Sequence, residues 1–132
     1  MMFKITPVQD TETARIYLSK CASTLKEGAF LYAMTDCESG DIMGIAQFEI
    51  TDESGYIYDL KEADGHDDFE AMFILGRQTM NFINICGKDV CRIGKESSDE
   101  KLIKAIGFID IGEYYECNMQ GMFDGSHCAG HK

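Results

Sequence analysis

The sequence has very little proline and no long apolar run. Its single proline is Pro7, and no tract rich in serine, glycine or proline interrupts the 132 residues, so no interdomain linker is predicted. No stretch is apolar for the ~20 residues that cross a bilayer, and residues 1–10 lack the basic and then apolar order of a signal peptide. We therefore expect one domain over residues 1–123, a flexible tail over residues 124–132, no membrane partner and a cytoplasmic location.

Basic residues are also scarce. Lysine and arginine number 12 against 23 aspartates and glutamates, which gives a formal net charge of −11. Such a surface repels phosphate backbones, so a nucleic-acid partner is not expected. It attracts a small cationic amine or a basic protein. The alternative is that the charge only keeps the chain in solution.

Paired cysteine motifs are absent too, because none of the six cysteines forms a C-x-x-C pair. We expect free thiols that act as small apolar residues, with Cys86 and Cys91 in the core, rather than disulfides or a structural zinc site. His127, Cys128 and His131 bring three soft ligands close together in the tail. A flexible chain end is favoured there over a metal site, and no metal is expected.

Turn residues and apolar periodicity divide the chain into alternating elements. Phe69, Phe73, Gly76, Met80 and Ile83 recur at helical spacing and predict a long buried helix that ends at Gly87. Residues 97–100 offer a capping box for a shorter helix that ends at Gly107. The other predicted elements are strands over residues 3–8, 29–35, 42–50, 56–60, 89–93, 108–111 and 114–123, and a helix over residues 12–25.

This order predicts an α/β (α+β) fold with a mixed, mostly antiparallel central sheet flanked by helices. Both the order and local sequence resemble the GNAT (GCN5-related N-acetyltransferase) superfamily. The stretch Leu102-Ile103-Lys104-Ala105-Ile106-Gly107-Phe108 resembles the family's late helix and Gly-Phe signature. Residues 75–82 resemble its central helix. The chain looks like a truncated and divergent member, and the resemblance implies N-acetyltransferase activity with acetyl-CoA.

The resemblance also implies where acetyl-CoA would lie. In the family a glycine-rich loop before the central helix holds the coenzyme A pyrophosphate on backbone N–H groups. Here Asp67 stands where a basic or amide residue is usual, and Glu70 and Met72 stand where small residues are usual. The alternative is that Asp67 and Asp68 only cap the helix. The candidate cofactor-binding residues are Leu60, Lys61, Gly65, His66, Asp67, Phe69, Glu70 and Ala71.

The candidate catalytic residues are Asp59 and Glu62 as bases and Tyr115, or its neighbour Tyr114, as an acid. Ile103 occupies the place of the family's usual tyrosine acid, so another group would have to protonate the leaving thiolate. The connection before the second strand, residues 25–28, is also too short for the family's additional helix.

Two hypotheses follow for the function, and they predict different clefts. One is an acetyltransferase or acyl-CoA-binding protein, with a splayed pair of strands and the N–H groups of Phe69 to Ala71 facing the cleft. The other is a GNAT-derived binding or protein-interaction module, with a cleft closed by side chains such as Phe69 and Met72. Pairing of two copies through a sheet edge, as a homodimer, is compatible with the second hypothesis.

Overall fold

A computed structural model describes residues 2–95 and 99–123. Seven strands and three helices follow one another in the described residues. The strands are β1 (Phe3–Pro7), β2 (Phe30–Asp36), β3 (Ile42–Ile50), β4 (Gly55–Glu62), β5 (Val90–Gly94), β6 (Ile109–Asp110) and β7 (Tyr114–Asn118). The helices are α1 (Thr11–Lys20), α2 (Phe69–Ile85) and α3 (Glu100–Ile106). None of these helices is long and apolar enough to cross a membrane.

The strands form one sheet in the order β1-β2-β3-β4-β5-β7-β6. The first four strands pair antiparallel, β4 and β5 pair parallel, and the last three strands are again antiparallel. The parallel pair is joined through α2, as a crossover connection requires. The predicted fold class, a mixed and mostly antiparallel sheet flanked by helices, is confirmed.

Two apolar cores lie on opposite faces of this sheet. Ala14 and Leu18 of α1 are buried with Ile45 and Ala33 on one face. The larger core buries α2 and α3 against β3, β4, β5 and β7 on the other face. The predicted apolar stripe of the central helix is therefore its buried side, although Phe69 at its start is exposed.

The first helix is shorter than its apolar pattern predicts, and this corrects the predicted end at residue 25. The N–H of Ser23 donates to the carbonyl of Leu18 over 2.8 Å, and the N–H of Ala22 donates to the carbonyl of Ser19 over 3.2 Å. These bonds close a Schellman motif, in which Ala22 adopts a left-handed φ of 57°. The chain turns away at this point despite the absence of the glycine that usually marks such an end.

Three other expectations need correction. The N-cap of α3 is Asp99, whose side chain accepts from the N–H of Lys101, and the predicted capping serines lie outside the described residues. The last strand ends at Asn118 and a turn follows, because the N–H of Met122 bonds back to the carbonyl of Met119. Cys86 is exposed as the C-cap of α2, whereas Cys91 is fully buried as expected.

Candidate functional site

The candidate site lies where the pairing of the two parallel strands ends. β4 and β5 pair at Gly55, Tyr56 and Ile57; β5 then ends at Gly94, whereas β4 continues to Glu62 without a strand partner on that edge among the described residues. The register between β3 and β4 skips Tyr58, so a bulge in β4 follows the last β4–β5 pair. The edge of β4 therefore presents backbone hydrogen-bonding groups beside the start of α2, as a cleft for acyl-CoA requires. A splay of the two strands stays a prediction of the acyl-CoA hypothesis.

Carboxylates satisfy part of the helix terminus at this cleft. Asp68 is the N-cap of α2, and its side chain accepts from the N–H of Ala71 over 3.0 Å. The side chain of Glu62, at the end of β4, accepts from the N–H of Asp68 over 2.6 Å. An α-helix leaves its first N–H groups without intrahelical partners. The chain's own carboxylates take two of them, and the N–H groups of Phe69 and Glu70 are the remaining donors of this turn.

The loop before α2 runs along the side of the sheet that α1 covers. Gly65 has a φ of +86°, and the turn is closed by the N–H of His66, which donates to the carbonyl of Ala63 over 3.1 Å. His66 shares a depression of about 260 Å³ with Lys20, Asp41 and Asp64. Its imidazole therefore borders α1 and the hairpin between β2 and β3. Asp67 is exposed.

The remaining candidate cofactor residues have divided roles. Leu60 is buried in the core below α2, so only its backbone can contact a ligand. The ammonium of Lys61 donates to the carbonyl of Ala22 over 3.3 Å and is thereby held on the α1 side. Phe69 is 42% exposed, with the Lys101 ammonium 5.9 Å from its ring centroid.

Met72 packs closely on β3. Its sulfur lies 2.7 Å and the carbonyl oxygen of Lys61 lies 3.1 Å from the position that a Cβ would take on Gly44, so the absence of a side chain at Gly44 permits this packing. Met72 is buried, and the closing of the cleft by Phe69 and Met72 stays a prediction of the second hypothesis.

Asp59 belongs to a buried polar network. Its carboxylate accepts from the Gln47 amide over 2.8 Å and lies 3.8 Å from the Lys61 ammonium. Gln47 is 1% exposed; its amide nitrogen also donates to the carbonyl of Thr24, and its oxygen accepts from the N–H of Lys26. The network ties β3 and β4 to the connection between α1 and β2. Its signal in the sequence is a glutamine between the apolar residues Ala46 and Phe48 of β3.

Tyr115 lies in the larger core. It is 5% exposed, pairs with Ile93 across β5 and β7, and has the Lys95 ammonium 5.0 Å from its ring centroid. Ile103 is buried in the same core, at the position where the GNAT resemblance leads one to expect a tyrosine acid. The acid role of Tyr115 stays a prediction, as do the base roles of Asp59 and Glu62.

A polar aromatic cluster, defined by Tyr56, Tyr58 and Glu49, was not predicted from the sequence. The two rings lie 5.1 Å apart at 51°, and the Tyr58 hydroxyl donates to the Glu49 carboxylate. This hydrogen bond raises the pKa of Tyr58 to about 12. The Lys26 ammonium lies 5.1 Å from the Tyr58 ring centroid. The sequence signal that could have predicted this cluster is the pair of tyrosines at alternate positions of β4, which places both rings on one face of the sheet.

No model of a known family and no curated protein matches this sequence. Solved structures do match its fold. The NatC complex, solved bound to Gag peptide and CoA, contains a chain with a TM-score of 0.69, 14% identity and coverage of 89% of this chain and 99% of that one. The fold is GNAT.

Two further GNAT structures match at similar levels. YhhK of E. coli, for which N-acetyl transferase activity is proposed and which was solved bound to coenzyme A, gives a TM-score of 0.68 at 12% identity, covering 89% of this chain and 99% of that one. The ribosomal-protein-S18-alanine N-acetyltransferase of E. coli gives 0.66 at 11% identity, covering 87% and 90%. At these identities the likeness establishes the fold alone.

The groups beside β4 and the start of α2 suit one part of acyl-CoA, the cofactor that the family resemblance implies, better than the other. The free edge of β4 can hydrogen-bond the amides of a pantetheine arm. The pyrophosphate position is a poor match, because carboxylates already occupy two of the terminal N–H groups and Asp67 and Glu70 add further negative charge. In the described part of the chain, no group of three or more His, Cys, Asp or Glu side chains is arranged to hold a metal ion.

Proposed function

We propose that this chain binds an acyl-CoA thioester in the cleft between β4 and β5 and transfers the acyl group to an amine. The observation that carries the proposal is the end of β4–β5 pairing at Ile57, with β5 itself ending at Gly94, which leaves the edge of β4 up to Glu62 unpaired beside the start of α2. The solved structures that share the fold include complexes with CoA or acetyl-CoA. An acyl-CoA supplies a thioester carbonyl that an unprotonated amine can attack; the amide bond forms as the C–S bond breaks, and the CoA thiolate leaves and takes up a proton from solvent or from a nearby acid.

The chain's own groups would hold the acyl-CoA and orient its thioester toward the amine. Backbone groups of Leu60 and Lys61 would bind the pantetheine arm, and the N–H groups of Phe69 and Glu70 would face the phosphates. The incoming ammonium must lose a proton before it reacts. Asp59 and Glu62 are the carboxylates along β4, and each already accepts a hydrogen bond. Each carboxylate keeps a second oxygen that could accept that proton while its present hydrogen bond stays in place.

We further propose that the affinity for acyl-CoA is modest. At ~5 Å and an effective dielectric near 20, each pair of like unit charges costs about 3 kcal/mol before screening. Added salt weakens this repulsion. Acetyl-CoA should therefore bind more tightly at about 200 mM than at about 20 mM NaCl, opposite to the trend of a basic phosphate site.

Calorimetric titration with acetyl-CoA at both salt concentrations tests this function. We expect saturable binding, with a dissociation constant on the order of 0.1–1 mM that decreases with salt. Backbone amide NMR signals of residues 58–62 should shift, and those of β1 should not. Failure to saturate at several millimolar at either salt concentration would overturn the proposal.

A binding module without acyl transfer is the second candidate. The observation that favours it is a pair of hydrogen bonds in which the N–H of Asp68 donates to the Glu62 carboxylate and the N–H of Ala71 donates to the Asp68 carboxylate, so that this helix terminus already holds an internal anion. This candidate predicts that acetyl-CoA neither saturates nor shifts the β4 signals. Replacing Glu62 with glutamine should then leave the titration unchanged.

A further inference from the structure

We propose that the cluster of Tyr56, Tyr58 and Glu49 is a site for a primary alkylammonium group, and that the chain's own Lys26 occupies it in this structure. The ligand would be the side chain of a lysine, presented on a peptide or protein. Lys26 leaves the cluster when that lysine enters. That the entering lysine is the acyl acceptor rests on the function proposed above. That it binds at this cluster does not.

The cluster has the composition of an ammonium site. The faces of aromatic rings attract cations within about 6 Å of the centroid. The Lys26 ammonium meets this condition at 5.1 Å from the Tyr58 ring, and the Tyr56 ring is tilted toward Tyr58 at 5.1 Å. Glu49 lies directly across from Tyr56 in the register of β3 and β4 and adds a carboxylate. The structure therefore places an ammonium against the Tyr58 ring, with the Tyr56 ring and the Glu49 carboxylate next to that ring.

Lys26 is suited to leave. It is exposed, and within the described residues its ammonium takes part in no ion pair. The neighbouring cation differs: Arg92 lies 5.0 Å from the Tyr114 ring centroid but also pairs with Glu116 over 2.9 Å. A ring contact alone holds an exposed lysine weakly. An external lysine can therefore exchange with Lys26, whereas Arg92 is fixed.

The cluster also lies at a useful position. Tyr58 is the bulged residue just after the last pair of β4 and β5, so an amine held there is beside the mouth of the cleft. The side chains around the cluster carry both signs of charge: Lys26 and Arg92 are opposed by Glu49, Glu53 and Glu116. With the whole chain at −11, the long-range field also favours a cationic ligand.

The test is an NMR titration of the full chain with Nα-acetyl-lysine methylamide, in the absence of any CoA compound. We expect weak binding that shifts the ring signals of Tyr56 and Tyr58. The norleucine analogue, which lacks the ammonium, should not produce these shifts. The variant Lys26→Gln removes the internal competitor and should tighten binding about three- to fivefold. Lys4→Gln makes the same charge change on the far edge strand and should leave the affinity unchanged.

Variants of the tyrosine separate the ring from its hydroxyl. Tyr58→Phe should still bind the lysine probe, whereas Tyr58→Leu should lose most of the affinity while its amide spectrum stays dispersed. Equal tightening by Lys26→Gln and Lys4→Gln, or lysine shifts that map away from the two rings, would overturn this proposal. Binding of the lysine probe without binding of acetyl-CoA would support the lysine site and overturn acyl transfer. Binding of acetyl-CoA without shifts of the tyrosine ring signals would support the acyl-CoA proposal and overturn the lysine site.

Discussion

Gln47 and Asp59 show why a polar side chain in a strand has to be judged together with its neighbours. The Gln47 amide bonds the Asp59 carboxylate and two backbone groups of the connection after α1. A buried group that loses its partner carries the full cost of its desolvation. Gln47 therefore stabilises the sheet and also fixes the position of the Asp59 carboxylate.

Replacing Gln47 with leucine should lower the free energy of unfolding by about 2–3 kcal/mol, because Asp59 and the loop lose their partner. Urea unfolding measures the change. Gln9→Leu, at an exposed position, is the control and should remain within about 0.5 kcal/mol of the parent chain. A loss below about 0.5 kcal/mol for Gln47→Leu would show that water replaces these bonds.

The pKa of Tyr58 provides a second measurement at this scale. The hydrogen bond to Glu49 raises that pKa to about 12, so the folded state keeps a proton that the unfolded chain releases near pH 10. The resulting stability is complete below about pH 10 and is lost between about pH 10 and 12. Glu49→Gln should lower the pKa of Tyr58 and reduce this loss.

NMR titration of the tyrosine ring carbons checks the pKa directly. The Lys4→Gln variant, changed on the far edge strand, is the control and should leave the Tyr58 pKa as it is in the parent chain. An unchanged Tyr58 pKa in Glu49→Gln would contradict the assignment of its cause. The sequence could identify Asp59 and Glu62 as acidic residues near β4, but not their bonding, because the partners are 12 and 6 residues away.

The helices and strands were predictable where their signals are local. The apolar stripe of α2, the turn between β2 and β3, and Gly107 after α3 each depend on neighbouring residues. The end of α1 was not predictable, because its apolar pattern continues to Leu25 while the backbone turns at Ala22. The end of the β4–β5 pairing at Ile57 is also a tertiary property, since it joins strands that are separated in sequence by α2.

Ala22 therefore supports a prediction about an element. A left-handed backbone conformation raises the free energy of an L-residue by roughly 1 kcal/mol, and glycine has no such penalty. Ala22→Gly should raise the free energy of unfolding by about 0.5–1 kcal/mol, as measured by urea denaturation. Ser19→Gly, inside the same helix, should lower it by about 0.5–1 kcal/mol. Destabilisation by Ala22→Gly would mean that α1 continues past Lys20 in solution.

At the scale of the molecule, the GNAT fold and the acidic surface act in opposite directions. The fold supplies the free edge of β4 and a helix terminus facing a cleft. The net charge of −11 and the carboxylates around that terminus oppose a polyphosphate. The order of the elements predicted the strand edge and the helix terminus, and the composition predicted the acidic charge. Only the assembled sheet shows that the two lie at one place.

The most direct test of acyl-CoA binding in this cleft is a charge reversal beside the helix terminus. Acetyl-CoA is titrated calorimetrically into the parent chain, Asp67→Arg and Asp52→Arg, at one low salt concentration. Asp52 lies at the opposite end of β4, so its variant makes the same change in net charge far from the cleft.

A favourable change of about 1.4 kcal/mol corresponds to a tenfold gain in affinity. We predict a gain of about tenfold for Asp67→Arg and less than about threefold for Asp52→Arg. Equal effects of the two variants, or no binding by any of the three proteins, would contradict the placement of acyl-CoA between β4 and β5.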